Sequence, residues 1–279
     1  MLRKFTKMHG TGNDYIYFDC LTDDLPDPSG VAARLSDRHF GVGGDGVVLI
    51  CPSDTADARM RMFNADGSEG RMCGNAIRCV AKYLYDNGIV DKTDMTIETL
   101  SGVKSLELSV GGGRMLTAVV DMGRAELRPA LIPVKIDAPR VVGMNARVAG
   151  GEFRITCVSM GNPHCVVFVD NPDAIHLSEL GPRFECDPLF PERVNTEFAR
   201  VVDDGLIIMR VWERGSGETL SCGTGACAAV VAAAENGFVT KGADVRVYLK
   251  GGELVINYTD ERVVMRGAAT KVFDGVVEI

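Results

Sequence analysis

Two stretches, RMCGNAIRC at residues 71–79 and LSCGTGACA at residues 220–228, set the same device ahead of a helix-like run: a cysteine followed by a glycine. When the chain is slid over itself by 149 residues without gaps, Cys73-Gly74 falls on Cys222-Gly223. The register holds far outside those stretches. Gly12-Asn13 falls on Gly161-Asn162, Met60-Arg61 on Met209-Arg210, Glu69 on Glu218, Asn87-Gly88 on Asn236-Gly237 and Gly102 on Gly251. Scattered identities would be near chance, but adjacent pairs held in one register mark an internal repeat. The chain therefore divides into homologous halves, about 1–122 and 123–267. A strand-like tail, 268–279, is expected to return and complete the first half.

Each half reads as α+β. YIYFD, GVVLI, RMRMF and TIETL in the first half, and CVVFVD, LIIMRVW, VRVYL and LVINY in the second, are apolar or alternating runs bounded by turn residues. One strong helix stands in each: CGNAIRCVAKYLYD, stopped by Asn87-Gly88, and CGTGACAAVVAAAE, stopped by Asn236-Gly237. The expected fold is two pseudo-symmetric domains, each a strand-rich sheet or barrel around a central helix, with the active site in the cleft between them.

The bulk numbers narrow the function classes. With 279 residues and 46% hydrophobic content, the chain can build large cores without staples. A net charge of -8 and no run of Lys and Arg argue against nucleic acid. The N-terminus has no apolar signal core, and the longest apolar run, ACAAVVAAA at 226–234, is too short to span a bilayer. A cytoplasmic protein without membrane contact is expected. The nine cysteines are odd in number and show no CxxC spacing, so neither a disulfide framework nor a metal site is expected.

A cysteine ahead of a helix is more often buried structure than a catalyst. The duplication alters that reading, because Cys73 and Cys222 align while Cys79 and Cys227 do not; the latter two read as core. At a helix start, unpaired N–H groups and the positive dipole end lower a thiol's pKa from about 8.5 and attract carboxylate. Gly74, Gly223 and Gly225 leave room for a ligand to approach the backbone. Two such thiols on opposite sides of one carboxylate-bearing molecule suit inversion at the α-carbon, with a thiolate as base on one face and a thiol as acid on the other.

Equivalent polar positions should surround the thiols. Nine residues before each cysteine stand Asn64 and Glu213, and fifty-one residues earlier stand Asn13 and Asn162. Arg214 follows Glu213, His164 follows Asn162 by two, and Asn195 falls opposite Gly46 in the repeat. Such a set suits a ligand with several amino and carboxylate groups: Arg214 for a distant carboxylate, Glu213 for an ammonium.

These residues resemble a known family. MHGTGNDYIYFD, FNADGSEGRMCGNAIRC, MGNPHCVVFVD and WERGSGETLSCGTGACA are similar to the motifs of diaminopimelate epimerase, in order and over nearly the whole chain. The resemblance implies interconversion of L,L- and meso-diaminopimelate in lysine and cell-wall precursor synthesis, with no cofactor and no metal. It implies that Cys73 and Cys222 are the acid/base pair, with His164 and Glu213 near the reacting centre. It also implies substrate contacts from Asn13, Asn64, Asn162, Asn195, Glu213 and Arg214, a carboxylate cradle at Gly74-Asn75 and Gly223-Thr224, and a homodimer. One departure stands out: many members carry Gln where this chain has Gly46, so that side-chain contact must be replaced or missing.

The rivals are a proline or hydroxyproline racemase and a non-catalytic amino-acid-binding protein on the same scaffold. The first typically has His after the first Cys-Gly, where this chain has Asn75, and Arg214 has no task on a ligand with one carboxylate. A phenazine-type isomerase would lack the cysteine pair. A pyridoxal enzyme needs a phosphate cradle; GVGGDG at 41–46 has GxGxxG spacing but reads as a turn before the strand GVVLI, with no helix start after it and no P-loop Lys.

Overall fold

The computed structural model describes residues 1–279. The chain forms two compact units, Met1–Asp121 with Arg266–Ile279, and Met122–Met265. The first contains β1 (Leu2–Gly10), β2 (Asn13–Asp19), α1 (Pro28–Leu35), β3 (Gly46–Cys51), β4 (Ala58–Asn64), β5 (Glu69–Gly70), α2 (Gly74–Asp86), β6 (Asp94–Thr99), β7 (Gly102–Gly111) and most of β8 (Arg114–Gly123). The second contains β9 (Met144–Val148), β10 (Gly151–Ser159), β11 (Pro163–Phe168), α3 (Leu177–Glu185), β12 (Asn195–Asp203), β13 (Leu206–Glu213), β14 (Gly217–Thr219), α4 (Gly223–Glu235), β15 (Asp244–Leu249), β16 (Gly252–Tyr258) and the start of β17 (Val263–Ala268). The last strand, β18 (Thr270–Glu278), belongs to the first unit.

The repeat survives at single-residue resolution. Shifting β1 by 149 residues gives β10, and shifting α2 gives α4, residue for residue. Sheet connections repeat too. β2 pairs parallel with β3, aligning Tyr15 with Gly46; β11 pairs parallel with β12, aligning His164 with Asn195. β3–β4 and β12–β13 are both antiparallel. In the second unit β9 lies along β10; in the first, β18 takes that place along β1, with Thr6 opposite Asp274. The tail thus supplies the first sheet with a strand that the second draws from its own N-terminal side.

Composition explains the helix environments. α4 is Gly, Ala and Val for most of its length, and Ala226 to Ala233 are buried all round. A helix without a polar face must be enclosed, and small side chains let strands approach it closely. Strands β10 to β13, β15 and β16 all pack on it. α2 is less enclosed: Ile77, Val80, Ala81 and Leu84 are buried, while Lys82, Tyr83, Tyr85 and Asp86 are only half-buried. Both helices stop at Asn-Gly, with Gly88 and Gly237 at φ 67° and 73°, the left-handed conformation glycine adopts at no steric cost. Each unit also has a short second helix, α1 or α3, that one strong helix per half did not anticipate. Both pack into the apolar cores, α1 through Val31, Ala32 and Leu35 and α3 through Leu177 and Phe184.

Candidate active site

Cys73 and Cys222 are the N-cap residues of α2 and α4. Both have extended backbone, and each sulfur accepts the N–H three residues on: Ala76 N at 3.4 Å and Gly225 N at 3.3 Å. A side-chain acceptor at this position satisfies one orphan donor of the first turn. By contrast Cys79 and Cys227 are fully buried within their helices, and burial pushes the Cys79 thiol up to about 11.

In the first unit, Asn13 joins the cysteine. Its Oδ1 lies 3.3 Å from Cys73 Sγ and accepts from Asn75 Nδ2 at 3.4 Å. The amide is oriented from behind, because Asn13 Nδ2 donates to Asp45 Oδ2 at 2.6 Å. Asp45 is held in turn by Arg38, which also bridges Asp14 beside the buried Lys7. Burial pushes the Asp14 carboxyl up, but Arg38 and Lys7 outweigh it and hold the group below its ordinary value. A second buried cation, Arg78, lies one turn into α2. It donates to Gly74 O at 2.9 Å, and to Thr11 Oγ1 and Asn75 Oδ1 at 3.0 Å. Asn64 is placed differently: its amide donates to Ser68 Oγ at 3.0 Å, in the turn after β4.

Gly46 stands in register with Asn64 and Tyr15. A Cβ there would run into the Phe63 carbonyl oxygen and come within 2.8 Å of the Tyr15 ring. A side chain at this position would require the paired strands to shift.

In the second unit the polar residues form one connected line. Cys222 Sγ and Thr224 Oγ1 are 3.4 Å apart. Asn162 Nδ2 donates to Thr224 Oγ1 at 3.2 Å, and Asn162 Oδ1 lies 3.0 Å from His164 Nε2. His164 Nδ1 is 2.7 Å from Glu197 Oε1, and both side chains are wholly buried. Glu213 accepts from Thr219 Oγ1 and from the Cys222 thiol. Burial pushes the Glu213 carboxyl up, against those two hydrogen bonds. Cys222 departs from the sequence expectation. Burial, then the charges of Glu213 and Glu197, push its thiol well above the ordinary value, although Thr224 and the Gly225 N–H act in the opposite sense. Desolvation beside two carboxylates outweighs the helix start, so this cysteine keeps its proton at neutral pH.

Asn195 and Arg214 sit together at the edge of this group. Buried Asn195 donates to Pro163 O at 2.8 Å and accepts from Arg214 N at 2.9 Å, so it bridges two strand ends. The Arg214 guanidinium is exposed, with one N–H on Glu192 O at 2.9 Å. Glu197, Asp45, Arg78 and Thr219 were not picked out by sequence reasoning. For Glu197 a signal existed: its repeat counterpart is Val48, so a charge has replaced a core residue.

The profile of the family described as diaminopimelate epimerase matches residues 5–128 and 156–272. The chain belongs to the diaminopimelate epimerase family. A diaminopimelate epimerase from Acetivibrio thermocellus is 52% identical over 278 residues, which cover 99% of each chain. Among solved structures, a phenazine biosynthesis protein of the PhzF family from Bacillus anthracis superposes with a TM-score of 0.73 at 16% identity, over 100% of both chains. A hydroxyproline epimerase from Agrobacterium vitis, solved with bound trans-4-hydroxy-L-proline, gives 0.71 at 16% identity, over 99% of this chain and 91% of that one. At such identities these two share the α+β fold with this family member, and the likeness carries no further. No helix is long and apolar enough to cross a membrane.

Proposed function

We propose that this protein interconverts L,L- and meso-2,6-diaminopimelate by two-base proton transfer through Cys73 and Cys222. The observation that carries the mechanism is the repeated N-cap thiol, each with an Asn and a residue of the helix's first turn beside it. Epimerisation at an α-carbon removes a proton from one face and returns one to the other. In one direction Cys73, as thiolate, takes the α-proton, and Cys222, held as thiol, donates its own to the opposite face. The products are the inverted carbon, a Cys73 thiol and a Cys222 thiolate. The reverse direction runs the same transfers backwards. The first-turn N–H groups at Gly74-Asn75 and Gly223-Thr224 receive the substrate carboxylate, whose negative charge grows as the proton leaves. Before the next turnover in the same direction Cys222 regains a proton and Cys73 loses one to solvent, which restores the starting pair, with Glu213 accepting a hydrogen bond from the Cys222 thiol.

Asn13, Asn64, Asn162 and Asn195 contribute amide contacts, and exposed Arg214 takes the distal carboxylate. This last residue favours a dicarboxylate over proline. A homodimer in the cytoplasm completes the reading. Proton NMR of the reduced protein with L,L-diaminopimelate in D2O tests it. Loss of the α-proton signal with growth of the meso isomer is expected. No exchange from folded protein would overturn the substrate, and proline or hydroxyproline exchange in its place would select the rival.

A further inference from the structure

Glu197 has no counterpart in the first half, where Val48 occupies its place. It lies on β12, wholly buried, with Oε1 2.7 Å from His164 Nδ1. Its other oxygen, Oε2, is buried without a hydrogen-bond partner. A buried carboxylate so sparsely partnered is costly and is retained where its charge has a use. The α4 backbone makes room for it: a Cβ on Gly225 would come within 2.6 Å of Glu197 Oε1. At the equivalent place in α2 stands Ala76. A carboxylate and the glycine that accommodates it thus occur together in one half only.

An ionised carboxylate can only accept. Nδ1 of His164 must then carry a hydrogen toward Glu197, and the other end of the ring, Nε2, also meets an acceptor, the Asn162 amide oxygen, so the ring is held between two acceptors. Asn162 leads in turn through Thr224 to Cys222. We propose that Glu197 is a positioning residue for the epimerisation: it fixes His164 with Nδ1 protonated and aims Nε2 along the Asn162–Thr224 line at the start of α4. This rests on the two-thiol reading of the site, and it assigns His164 a fixed ring orientation rather than a free rotor. The fixed ring sets the Asn162 amide, and Asn162 sets the Thr224 hydroxyl beside the thiol.

Glu197→Gln keeps shape and volume, but its amide can turn an NH2 toward Nδ1 and force the opposite tautomer. We expect kcat to fall about 10- to 100-fold, the scale of loss when the outer hydrogen-bond partner of a metal-ligating His is changed, with KM moved less than about threefold. If Glu197 acts through His164, E197Q adds no further loss in a His164→Gln background, a non-additivity that a merely structural role would not produce. A readout independent of turnover is nitrogen-resolved NMR of the His164 ring in the free enzyme. It should show a hydrogen on Nδ1 in the wild type and a changed tautomer in E197Q. Full kcat in folded E197Q, additive losses in the double variant, or an unprotonated Nδ1 in the wild type would each overturn the inference. Wild-type turnover of diaminopimelate is scored separately, so failure of the functional reading is told apart from failure of this one.

Discussion

Beside the first turn of α2 lies a buried guanidinium, Arg78; beside the first turn of α4 lies a buried carboxylate, Glu197, bonded to His164. The backbones of the two devices agree residue for residue, yet their charges are opposite. The paired asparagines differ in the same way. Asn13 is turned by Asp45 so that its oxygen meets the thiol, whereas Asn162 turns its oxygen to His164 and its NH2 to Thr224. Duplication supplies the geometry that a two-face reaction needs. Divergence of the buried residues then gives the two thiols unlike surroundings, and burial beside Glu213 and Glu197 pushes the Cys222 thiol up.

The largest effect should come from removing either thiol. Cys73→Ala and Cys222→Ala should each lower inversion by about 10³-fold or more, at the upper end of what one acid or base supplies. Each variant retains one thiol, so the two should wash deuterium into opposite isomers: Cys222→Ala through the Cys73 thiolate, and Cys73→Ala only at alkaline pH, where Cys222 loses its proton. Deuterium uptake by both isomers in a single variant would break the two-face comparison.

Gly225 and Ala76 offer the next test. Gly225→Ala places a methyl within 2.6 Å of Glu197 Oε1 and 3.3 Å of Cys222 Sγ. Crowding of this kind costs about 1–3 kcal/mol, read by urea unfolding, and should lower kcat as well. The reverse exchange, Ala76→Gly, should cost only about 0.5–1 kcal/mol, the ordinary helix penalty. Equal losses would mean that the carboxylate beside α4 imposes no special demand.

The charge of Glu213 helps to keep the proton on Cys222. Glu213→Gln removes that negative neighbour, so the thiol's pKa must fall. The alkaline limb of the rate profile, where Cys222 loses its proton, should move toward neutral pH, beyond whatever loss in kcat accompanies it. A limb that stays in place would detach Glu213 from Cys222. The smallest effect concerns the duplicated ion pairs, Arg61–Glu69 and Arg210–Glu218. Glu69→Gln should cost about 0.2–1 kcal/mol, as partly exposed pairs do. Glu218→Gln should cost more, because Arg210 is better buried and Glu218 also holds Lys250. Thermal melts of the two variants check the order.

Much of this was legible in the residues, for identifiable reasons. The repeat could be seen because helix stops such as Asn87-Gly88 and turn pairs such as Gly12-Asn13 are bound to backbone conformation and resist drift. The thiols could be seen because their place in the repeat is shared while that of the other helix cysteines is not. The protonation of Cys222 was not legible. Sequence shows the helix start, which favours the thiolate, but not the burial and the two carboxylates that outweigh it. Glu197 lay inside an apolar strand run, where one acidic residue reads as a solvent-facing position; only the fold shows that it points inward to His164. For Asn64 the fold adds a local contact that spacing does not show: its amide donates to Ser68 Oγ in the turn after β4.

The most direct test of the unlike surroundings of the two thiols is the pH dependence of thiol alkylation, followed peptide by peptide with mass spectrometry. Only thiolates react, so the pH of half-maximal rate reports each cysteine's proton affinity whatever its access. We expect the half-maximal rate of Cys222 to lie above about pH 9, past the ordinary thiol range. A half-maximal rate for Cys222 near pH 7 would contradict the account.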